Sequence, residues 1–457
     1  MIPQSGLHST EDVAISSESV RPSDHLPCPD RSETQYTVPQ EICDMVIDQF
    51  TDDRTTLKAC SLVCRGWVHR SRTHLFNSMH VSVIQGRQPR IYAAHKDFWM
   101  SVISSPRVTT YIKELRIDML RAEYARDTPS DEGVAMLWQT LALFQHVSTL
   151  NICGLLCSSE STQPADLARL ASSFPFAQTL LLHGCHFDNA EAETYFISSF
   201  TSLTNVACQR LSFQAALSSH PTAGASIASV QALQRTLLRS SLVSLEISSC
   251  FSRFGPQLCR CLADLCSHTL RKFTLEIDDG YRDMLDQFLE AMSPVPLNDL
   301  TIAEPDMRVS HLSATDFQYL QKQQNLRILR LILCGPSVAI DALQNVRCDT
   351  LRDLTVAVGF PYMDWEELTD FLRAFDSVLS TPPFRRLRSL RLDLAKPEDP
   401  WSSRTEMKNV TTESVVTLLP QTSGLGILEV ALHGEEDMDN LKRQCFLIDG
   451  QLNGLNI

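Results

Sequence analysis

Four potential metal ligands lie close together in the second half of the chain: Cys259, Cys261, Cys266 and His268. Thiolate and imidazole groups at short spacings are common ligands of structural zinc. On a helix, however, Cys259 and Cys266 share one face whereas Cys261 lies on another, so the four side chains cannot surround one tetrahedral ion. We therefore predict core cysteines at these positions and no bound metal.

The sequence contains none of the common catalytic motifs. We find no nucleophile elbow, no His-Glu-x-x-His pair, no glycine-rich phosphate loop and no set of kinase motifs. Neighbouring acids occur at Asp278 and Asp279 and at Glu435–Asp437. These acids follow strand-like segments or lie near the C-terminus, where solvated loops are expected, so they do not indicate a general acid and base. We expect no enzymatic activity and no cofactor.

Composition and charge argue against nucleic acid and membranes as partners. The 457 residues are 43% hydrophobic and 21% charged, which is typical of a globular protein with a large core. A formal net charge of -14 argues against binding to nucleic acid. No apolar run of about eighteen residues and no secretory signal pattern occurs, and the 15 cysteines form no compact disulfide framework. We expect reduced thiols, no membrane contact, and a cytoplasmic or nuclear location.

The segment Val38–Phe76 contains two consecutive helical patterns. Pro39 precedes the first, in which Ile42, Val46 and Phe50 recur at intervals of four residues. The second pattern runs through two short helices and has apolar side chains at intervals of three or four: Leu57, Cys60, Val63 and Trp67. A segment of about forty residues is too small to bury such a stripe by itself, so we expect the stripe to finish against another surface.

This segment resembles the F-box of fungal F-box proteins of the basidiomycete type. The family has a proline-acid opening, a helix, a Leu-x-x-Cys-x-Leu-Val-Cys-x-x-Trp run, and a close that contains Arg, Leu and Phe. The matching residues are Pro39, Glu41, Leu57, Cys60, Leu62, Val63, Cys64, Trp67, Arg72, Leu75 and Phe76. Val38 stands where the family usually has leucine. The resemblance covers about a tenth of the 457 residues.

The resemblance implies docking to the Skp-type adaptor of a cullin-RING ubiquitin ligase. The residues that would contact the adaptor or support that contact are Pro39, Ile42, Leu57, Leu62, Val63 and Trp67. The alternative is an ordinary helical hairpin that packs on the domain that follows. The phrase SPRVTTYIKELRI, over Ser105–Ile117, also looks like the entry to the repeat region of fungal F-box proteins.

One apolar pattern returns through the rest of the chain: an apolar residue, followed by others three and five positions later. The middle residues of the eleven triplets are Leu115, Leu150, Leu180, Val206, Leu245, Phe273, Leu300, Leu329, Leu354, Leu390 and Leu428. In three repeats a cysteine stands eight positions after the first apolar residue, as in leucine-rich repeats: Cys185, Cys250 and Cys334. Helical patterns separate the triplets, so strand and helix alternate, and each unit needs its neighbours to bury its apolar face.

We therefore predict an α/β fold, with an N-terminal three-helix F-box followed by an irregular leucine-rich-repeat-like α/β solenoid with a parallel sheet. The alternative is a doubly wound sheet, but eleven strands with one pattern and no glycine-rich phosphate loop favour the solenoid. The predicted boundaries are a disordered tail over 1–36, the F-box over 37–83, a connecting helical segment over 84–107 and the solenoid over 108–457.

Strand alternation predicts where a target would bind. If the triplets point into the core, the residues two, four and six positions after each first apolar residue face the concave side. In the first and the late repeats, the residues that we predict to bind the target from these positions are Glu114, Arg116, Asp118, Arg330, Asp353, Arg391, Asp393 and Glu429. The middle repeats have small or polar residues there, such as Asn205, Ser244, Glu246 and Thr274. The alternatives are that this face is polar only because it is solvated, and that the target binds the strand-end loops or the acidic segment Glu435–Asp439.

Two functional classes remain. The first is the substrate-recognition subunit of an SCF-type ubiquitin ligase, with the F-box on a Skp-type adaptor and the solenoid on an unknown target protein. The second is a free-standing protein-binding scaffold, or an enzyme, in which the F-box-like hairpin is only a cap. Co-purification of the adaptor would separate the two.

Overall fold

The structure is a computed structural model, and it describes most of the chain between residues 38 and 434. The described residues are 38–85, 90–91, 100–102, 104–121, 137–157, 164–187, 190–213, 241–248, 255–277, 285–304, 312, 314–359, 365–395 and 410–434. The tail predicted over 1–36, the acid pair Asp278 and Asp279, and the acidic segment Glu435–Asp439 lie outside these residues.

Three short helices open the described chain: α1 (Gln40–Asp48), α2 (Arg54–Val63) and α3 (Arg65–Leu75). The carboxylate of Asp53 caps α2, because it accepts hydrogen bonds from the backbone N–H groups of Thr55 and Thr56, both at 3.0 Å. A small core of three buried side chains, with Phe50 and Trp67 packed against it, holds the helices together: Ile47, Leu57 and Leu75.

The apolar stripe predicted for α1 is not its buried face. The buried residue is Ile47, whereas Ile42 and Val46 are exposed. Residues four apart rotate by about 40° per step on a helix of 3.6 residues per turn, so three of them drift off one face. The stripe predicted through α2 and α3 also divides, since Cys60 is buried with Leu57 but Val63 is exposed.

The rest of the fold is built on one sheet of thirteen strands. Twelve of them are parallel and follow one another in chain order: β1 (Ser78–Gln85), β3 (Glu114–Arg121), β4 (Thr149–Cys153), β6 (Thr179–His183), β8 (Asn205–Gln209), β10 (Ser244–Ser248), β11 (Lys272–Glu276), β12 (Asp299–Ala303), β13 (Ile328–Leu333), β14 (Asp353–Gly359), β15 (Ser389–Ala395) and β16 (Leu428–His433). β2 (Arg90–Ile91) pairs antiparallel with β1 at one edge. A second, three-stranded sheet comprises β5 (Leu156–Cys157), β7 (His186–Phe187) and β9 (Ser212–Phe213).

Helical segments connect the parallel strands. The α-helices are α4 (Pro164–Ser172), α5 (Ala190–Ser198), α6 (Gly255–Cys266), α7 (Leu285–Ala291), α8 (Pro336–Gln344), α9 (Trp365–Leu379), α10 (Thr412–Thr417) and α11 (Pro420–Ser423). Residues 137–141 are also helical. Turns of 3-10 helix span Pro106–Tyr111, Ala314–Lys322 and Pro382–Phe384.

In all eleven predicted triplets the middle and last residues lie on strands of the large sheet, and the middle residues pair in register from Leu115 to Leu428. These residues pack with the helices in one continuous core. Leu428 is only partly buried because its strand is the last of the sheet. The predicted fold class is confirmed: three helices precede an irregular leucine-rich-repeat-like α/β solenoid with a parallel sheet.

The sheet starts earlier than the first predicted triplet. Strand β1 follows α3 directly and pairs with β3, so that Met79 lies beside Leu115 and Val81 beside Ile117. Phe76, Met79 and Val81 therefore form a twelfth triplet with the same spacing, inside the range predicted for the F-box. The middle of α3 is also held by a 3.3 Å contact between the Nδ1 atom of His69 and the hydroxyl of Tyr111. The three helices are thus built onto the first repeat.

Candidate functional site

The three helices expose an unusual number of apolar side chains. We call this set the helical docking surface, and its members are Val38, Ile42, Met45, Val46, Leu62 and Val63. Leu62 is 86% exposed and Val63 63% exposed at the end of α2. Clustered exposed apolar residues of this kind mark binding surfaces.

The start of α1 lies against the junction of α2 and α3. The side-chain amide of Gln40 donates a hydrogen bond to the carbonyl oxygen of Gly66 at 3.1 Å. The approach is close, because a Cβ atom added at Gly66 would lie 2.7 Å from the Oε1 atom of Gln40. Gly66 follows Leu62 and Val63 by four and three residues, so this contact places the start of α1 near the end of α2 that carries them.

The six residues predicted for adaptor contact fall into two groups. Pro39, Ile42, Leu62 and Val63 are exposed. Leu57 is fully buried and Trp67 is partly buried against the same small core, so these two support the surface from within. Sequence reasoning missed Met45, whose three-residue spacing from Ile42 was a visible signal.

An ion-pair cluster holds α1 against α3. The carboxylate of Asp48 accepts hydrogen bonds from Nε and Nη2 of Arg70 at 2.5 and 2.6 Å, and the Nε2 atom of His74 lies 2.7 Å away. Arg70, through its hydrogen bonds, and to a lesser degree His74 lower the pKa of Asp48 to about 2. The position of α1 relative to α3 therefore depends on an ionised carboxylate.

The charged residues predicted for the concave side lie on the face of the sheet opposite the helices, which we call the second face. On β3, Nε of Arg116 donates to Asp118 at 2.9 Å, and Nε2 of His80 lies 2.6 Å from the same carboxylate. Burial alone would raise the pKa of Asp118, but Arg116 and His80 outweigh it and hold that pKa below its usual range. Burial raises the pKa of the neighbouring Glu114.

The same arrangement recurs at the far end of the sheet. Arg391 donates two hydrogen bonds, at 2.8 and 3.0 Å, to the fully buried carboxylate of Asp393, and Nε2 of His433 lies 2.6 Å from it. Glu429 is exposed and lies 3.8 Å from Arg391. Internal ion pairs thus already engage five of the charged residues that we predicted for target binding: Arg116, Asp118, Arg391, Asp393 and Glu429.

Two further predicted residues lie on β13 and β14, close to the C-terminal end of the sheet. Nη1 of Arg330 donates to Asp299 at 2.7 Å. Asp353 is partly exposed on β14, in register with Ser389. Five of the eight predicted residues therefore occupy β13–β16, whereas the other three share β3.

The second face is not solvated along its middle strands. Ser244, Glu246 and Thr274, which we predicted to face outward, are at most 6% exposed. The neighbouring Leu181 and Thr301 are equally buried. The two charged ends of the second face are therefore separated by strands on which these side chains are buried, and target binding at either end stays a prediction.

Sequence reasoning also missed a row of arginines at the N-terminal edge of the sheet. Arg327, Arg352 and Arg388 immediately precede β13, β14 and β15, and each is exposed. The missed signal was the dipeptide Leu-Arg, which opens each of these three triplets.

The cysteine cluster on α6 is part of the core. Cys259 and Cys266 are buried, Cys261 is partly buried and His268 is exposed. Within the described ranges, no three His, Cys, Asp or Glu side chains are placed to hold a metal ion together. The same part of the chain contains no helix with the length and apolar character that a membrane crossing requires.

Comparisons with known proteins give no family. No protein-family model and no curated protein matches the chain. Among solved structures, the crystal structure of the Rad7 and Elc1 complex in yeast is 14% identical, over 81% of this chain and 92% of that chain, with a TM-score of 0.38. The leucine-rich repeat-containing protein LegL7 from Legionella pneumophila is 11% identical, over 80% of this chain and 97% of that chain, with a TM-score of 0.40.

Proposed function

We propose that this chain is the substrate-recognition subunit of a cullin-RING ubiquitin ligase of the SCF type. The three helices dock a Skp-type adaptor, and the solenoid binds a target protein. The observation that supports this most is the helical docking surface, because its apolar side chains stay exposed although the helices already have a core of their own.

The energetics of burial favour a protein partner for this surface. Covering one large apolar side chain completely stabilises a complex by about 1.5–3 kcal/mol. Four such side chains on this surface are Ile42, Met45, Leu62 and Val63. This gain offsets part of the loss of translational and side-chain freedom on association.

The proposed mechanism is proximity. The chain holds its target near a ubiquitin-loaded enzyme, so that transfer to a target lysine becomes effectively intramolecular. The chemistry of transfer belongs to other subunits, and this chain supplies two separate binding surfaces.

The second candidate is a free-standing scaffold in which the helices only cap the solenoid. It is favoured by the direct passage from α3 into β1 and by the contact between His69 and Tyr111. A cap, however, needs its apolar side chains against the sheet, and Leu62 and Val63 face solvent instead.

Co-expression of the full chain with a Skp-type adaptor tests the proposal. We expect the parent to co-elute with the adaptor, and the double variant Leu62→Asp and Val63→Asp to lose the complex with an unchanged melting curve. The matched control replaces two exposed apolar residues outside the helices, Phe176→Asp and Leu425→Asp, and should keep the adaptor. A parent chain that never co-elutes with the adaptor would refute the proposal.

A further inference from the structure

The arginines at the N-terminal edge of the sheet are direct neighbours. We call Arg327, Arg352 and Arg388 the basic edge. The backbone N–H of Arg352 donates to the carbonyl oxygen of Arg327 at 2.8 Å, and that of Arg388 donates to the carbonyl oxygen of Arg352 at 2.7 Å. Because adjacent strands lie about 4.8 Å apart, three guanidinium groups follow one another over about 10 Å.

More basic side chains surround this row. The loops that precede β14 and β15 add three exposed arginines: Arg347, Arg385 and Arg386. Asp349 is the acid of these loops, and it lies 3.8 Å from Arg386 in a contact that is highly exposed on both sides. The region is strongly basic although the chain as a whole has a formal net charge of -14.

The basic edge differs from the other arginines of the sheet. Arg116, Arg330 and Arg391 each form an ion pair with an aspartate of the second face. No side-chain hydrogen bond or ion pair to the described residues is formed by the three arginines of the basic edge. Like charges on adjacent strands repel each other. The arrangement is therefore unfavourable unless an anionic group lies across it.

Most of the equivalent positions before the earlier strands are uncharged. Ser148, Gln178, Thr204, Val243 and Asn298 precede β4, β6, β8, β10 and β12. Lys113 precedes β3 and Arg271 precedes β11, but each has uncharged neighbours along the edge, and Arg271 donates to the carbonyl oxygens of Leu270 and His268. Among the described strands, arginines at three consecutive edge positions thus occur only before β13, β14 and β15.

We propose that the basic edge binds an extended, anionic segment of a protein, in which carboxylate or phosphate groups follow one another along the chain. A guanidinium group forms paired hydrogen bonds with either anion. An extended peptide rises about 3.3 Å per residue, so three or four residues reach from Arg327 to Arg388. The inference rests on the proposed function only where it identifies that protein as the ligase target.

A short peptide fits this edge better than a nucleic acid does. Strong binding of a long polyanion requires a basic surface along its length. The acidic balance of the rest of this chain would repel the parts of a nucleic acid that extend beyond the edge. The charge distribution therefore favours a partner whose negative charge is confined to a few residues.

Binding of labelled peptides to the full-length protein tests the proposal. The probes are eight-residue peptides of one sequence, with glutamate, phosphoserine or serine at four positions, and a single-stranded DNA oligonucleotide. The edge variant combines Arg327→Gln, Arg352→Gln and Arg388→Gln. The control variant has the same change of charge at exposed arginines elsewhere, Arg107→Gln, Arg260→Gln and Arg373→Gln.

We expect at least one anionic peptide to bind the parent and the control equally, and to bind the edge variant roughly tenfold more weakly. Binding should also weaken as salt is raised. Binding of glutamate and phosphoserine peptides shows which anion is preferred, and either supports the proposal.

Three results would overturn the proposal: neither anionic peptide binds, the edge variant binds as tightly as the control, or DNA binds the edge more tightly than both peptides. Melting curves show whether the edge variant is folded. Adaptor binding is measured on the same proteins, and its failure would leave the peptide result intact.

Discussion

The three helices and the sheet place their apolar residues in opposite ways. On the helices, Ile42, Leu62 and Val63 are exposed beside a core of only a few side chains. In the sheet, each triplet is covered by the adjacent strands and the helices, and residues such as Phe273 are fully buried. A stack of repeats therefore buries its own apolar residues, whereas the three helices leave several of theirs exposed.

The largest expected effect is a loss of stability in the large sheet, which buries its own apolar residues. Phe273→Ala removes a fully buried ring from the middle of the sheet, and we expect the free energy of unfolding to fall by about 3–5 kcal/mol. Urea denaturation of the purified chain measures this. Adaptor binding at low denaturant should persist, because the helices have a separate core. A variant as stable as the parent would contradict the burial described for this strand.

Two leucines on α2 allow a buried and an exposed apolar side chain to be compared within the helices. Leu57→Ala removes a buried side chain and should cost about 2–5 kcal/mol of stability. Leu62→Ala removes an exposed one and should leave stability within about 0.5 kcal/mol of the parent. Thermal melts and adaptor titrations of both variants are the measurement. We expect only Leu62→Ala to weaken adaptor binding without loss of stability, and equal melting curves would show that the two environments are not distinct.

Charged residues allow the same comparison within the sheet. Arg391→Gln leaves the buried carboxylate of Asp393 with one fewer cation, and we expect a loss of about 1–3 kcal/mol, since the arginine itself is partly exposed. Arg388→Gln, three residues earlier, removes an exposed charge that forms no ion pair with the described residues, and it should change stability by less than about 0.5 kcal/mol. Chemical denaturation of the two variants in parallel measures both losses of stability. A larger loss for Arg388→Gln would reverse our assignment of paired and unpaired arginines.

The smallest expected effect concerns the contact between α1 and α3. The folded pKa of Asp48 is about 2, below the unfolded value of about 3.9. Stability from this contact is therefore present above pH 4 or so and is lost as the pH falls towards about 2. Because a third of the side chain is exposed, we expect less than about 1 kcal/mol. Helical circular dichroism between about pH 2 and 5 should show the loss in the parent but not in Asp48→Asn.

The sheet was predictable because one triplet recurs, and recurrence is a local property of sequence. The pattern placed all eleven middle residues correctly, from Leu115 to Leu428. It also contained the triplet that begins at Phe76, but that residue had already been assigned to the F-box pattern. The orientation of α1 was not predictable, because nine residues offer two overlapping apolar stripes and only packing on α3 selects Ile47 as the buried one.

The predicted target residues show a different limit. Alternation correctly placed Arg330 and Arg391 on the second face, but it gives no information on which acids lie beside them on neighbouring strands. The arginines of the basic edge do not alternate at all, because they precede the strands. Their common signal is the Leu-Arg dipeptide, which became meaningful only once the strands were known to be adjacent.

The passage from α3 into β1 has a mechanical consequence. Only Phe76 and Asn77 separate the helix from the strand, and the carbonyl oxygen of Asn77 accepts hydrogen bonds from Lys113 and Glu114 at 2.9 and 3.0 Å. The connection, which we call the clamp, therefore restricts rotation of the three helices relative to the sheet. From β1 to β16 the sheet advances eleven strand spacings, or about 50 Å along its course, so a tilt of about 5° at the clamp moves the last strand by about 5 Å. The angle between the helices and the first strands therefore determines where a molecule bound at the last strands lies relative to the helices.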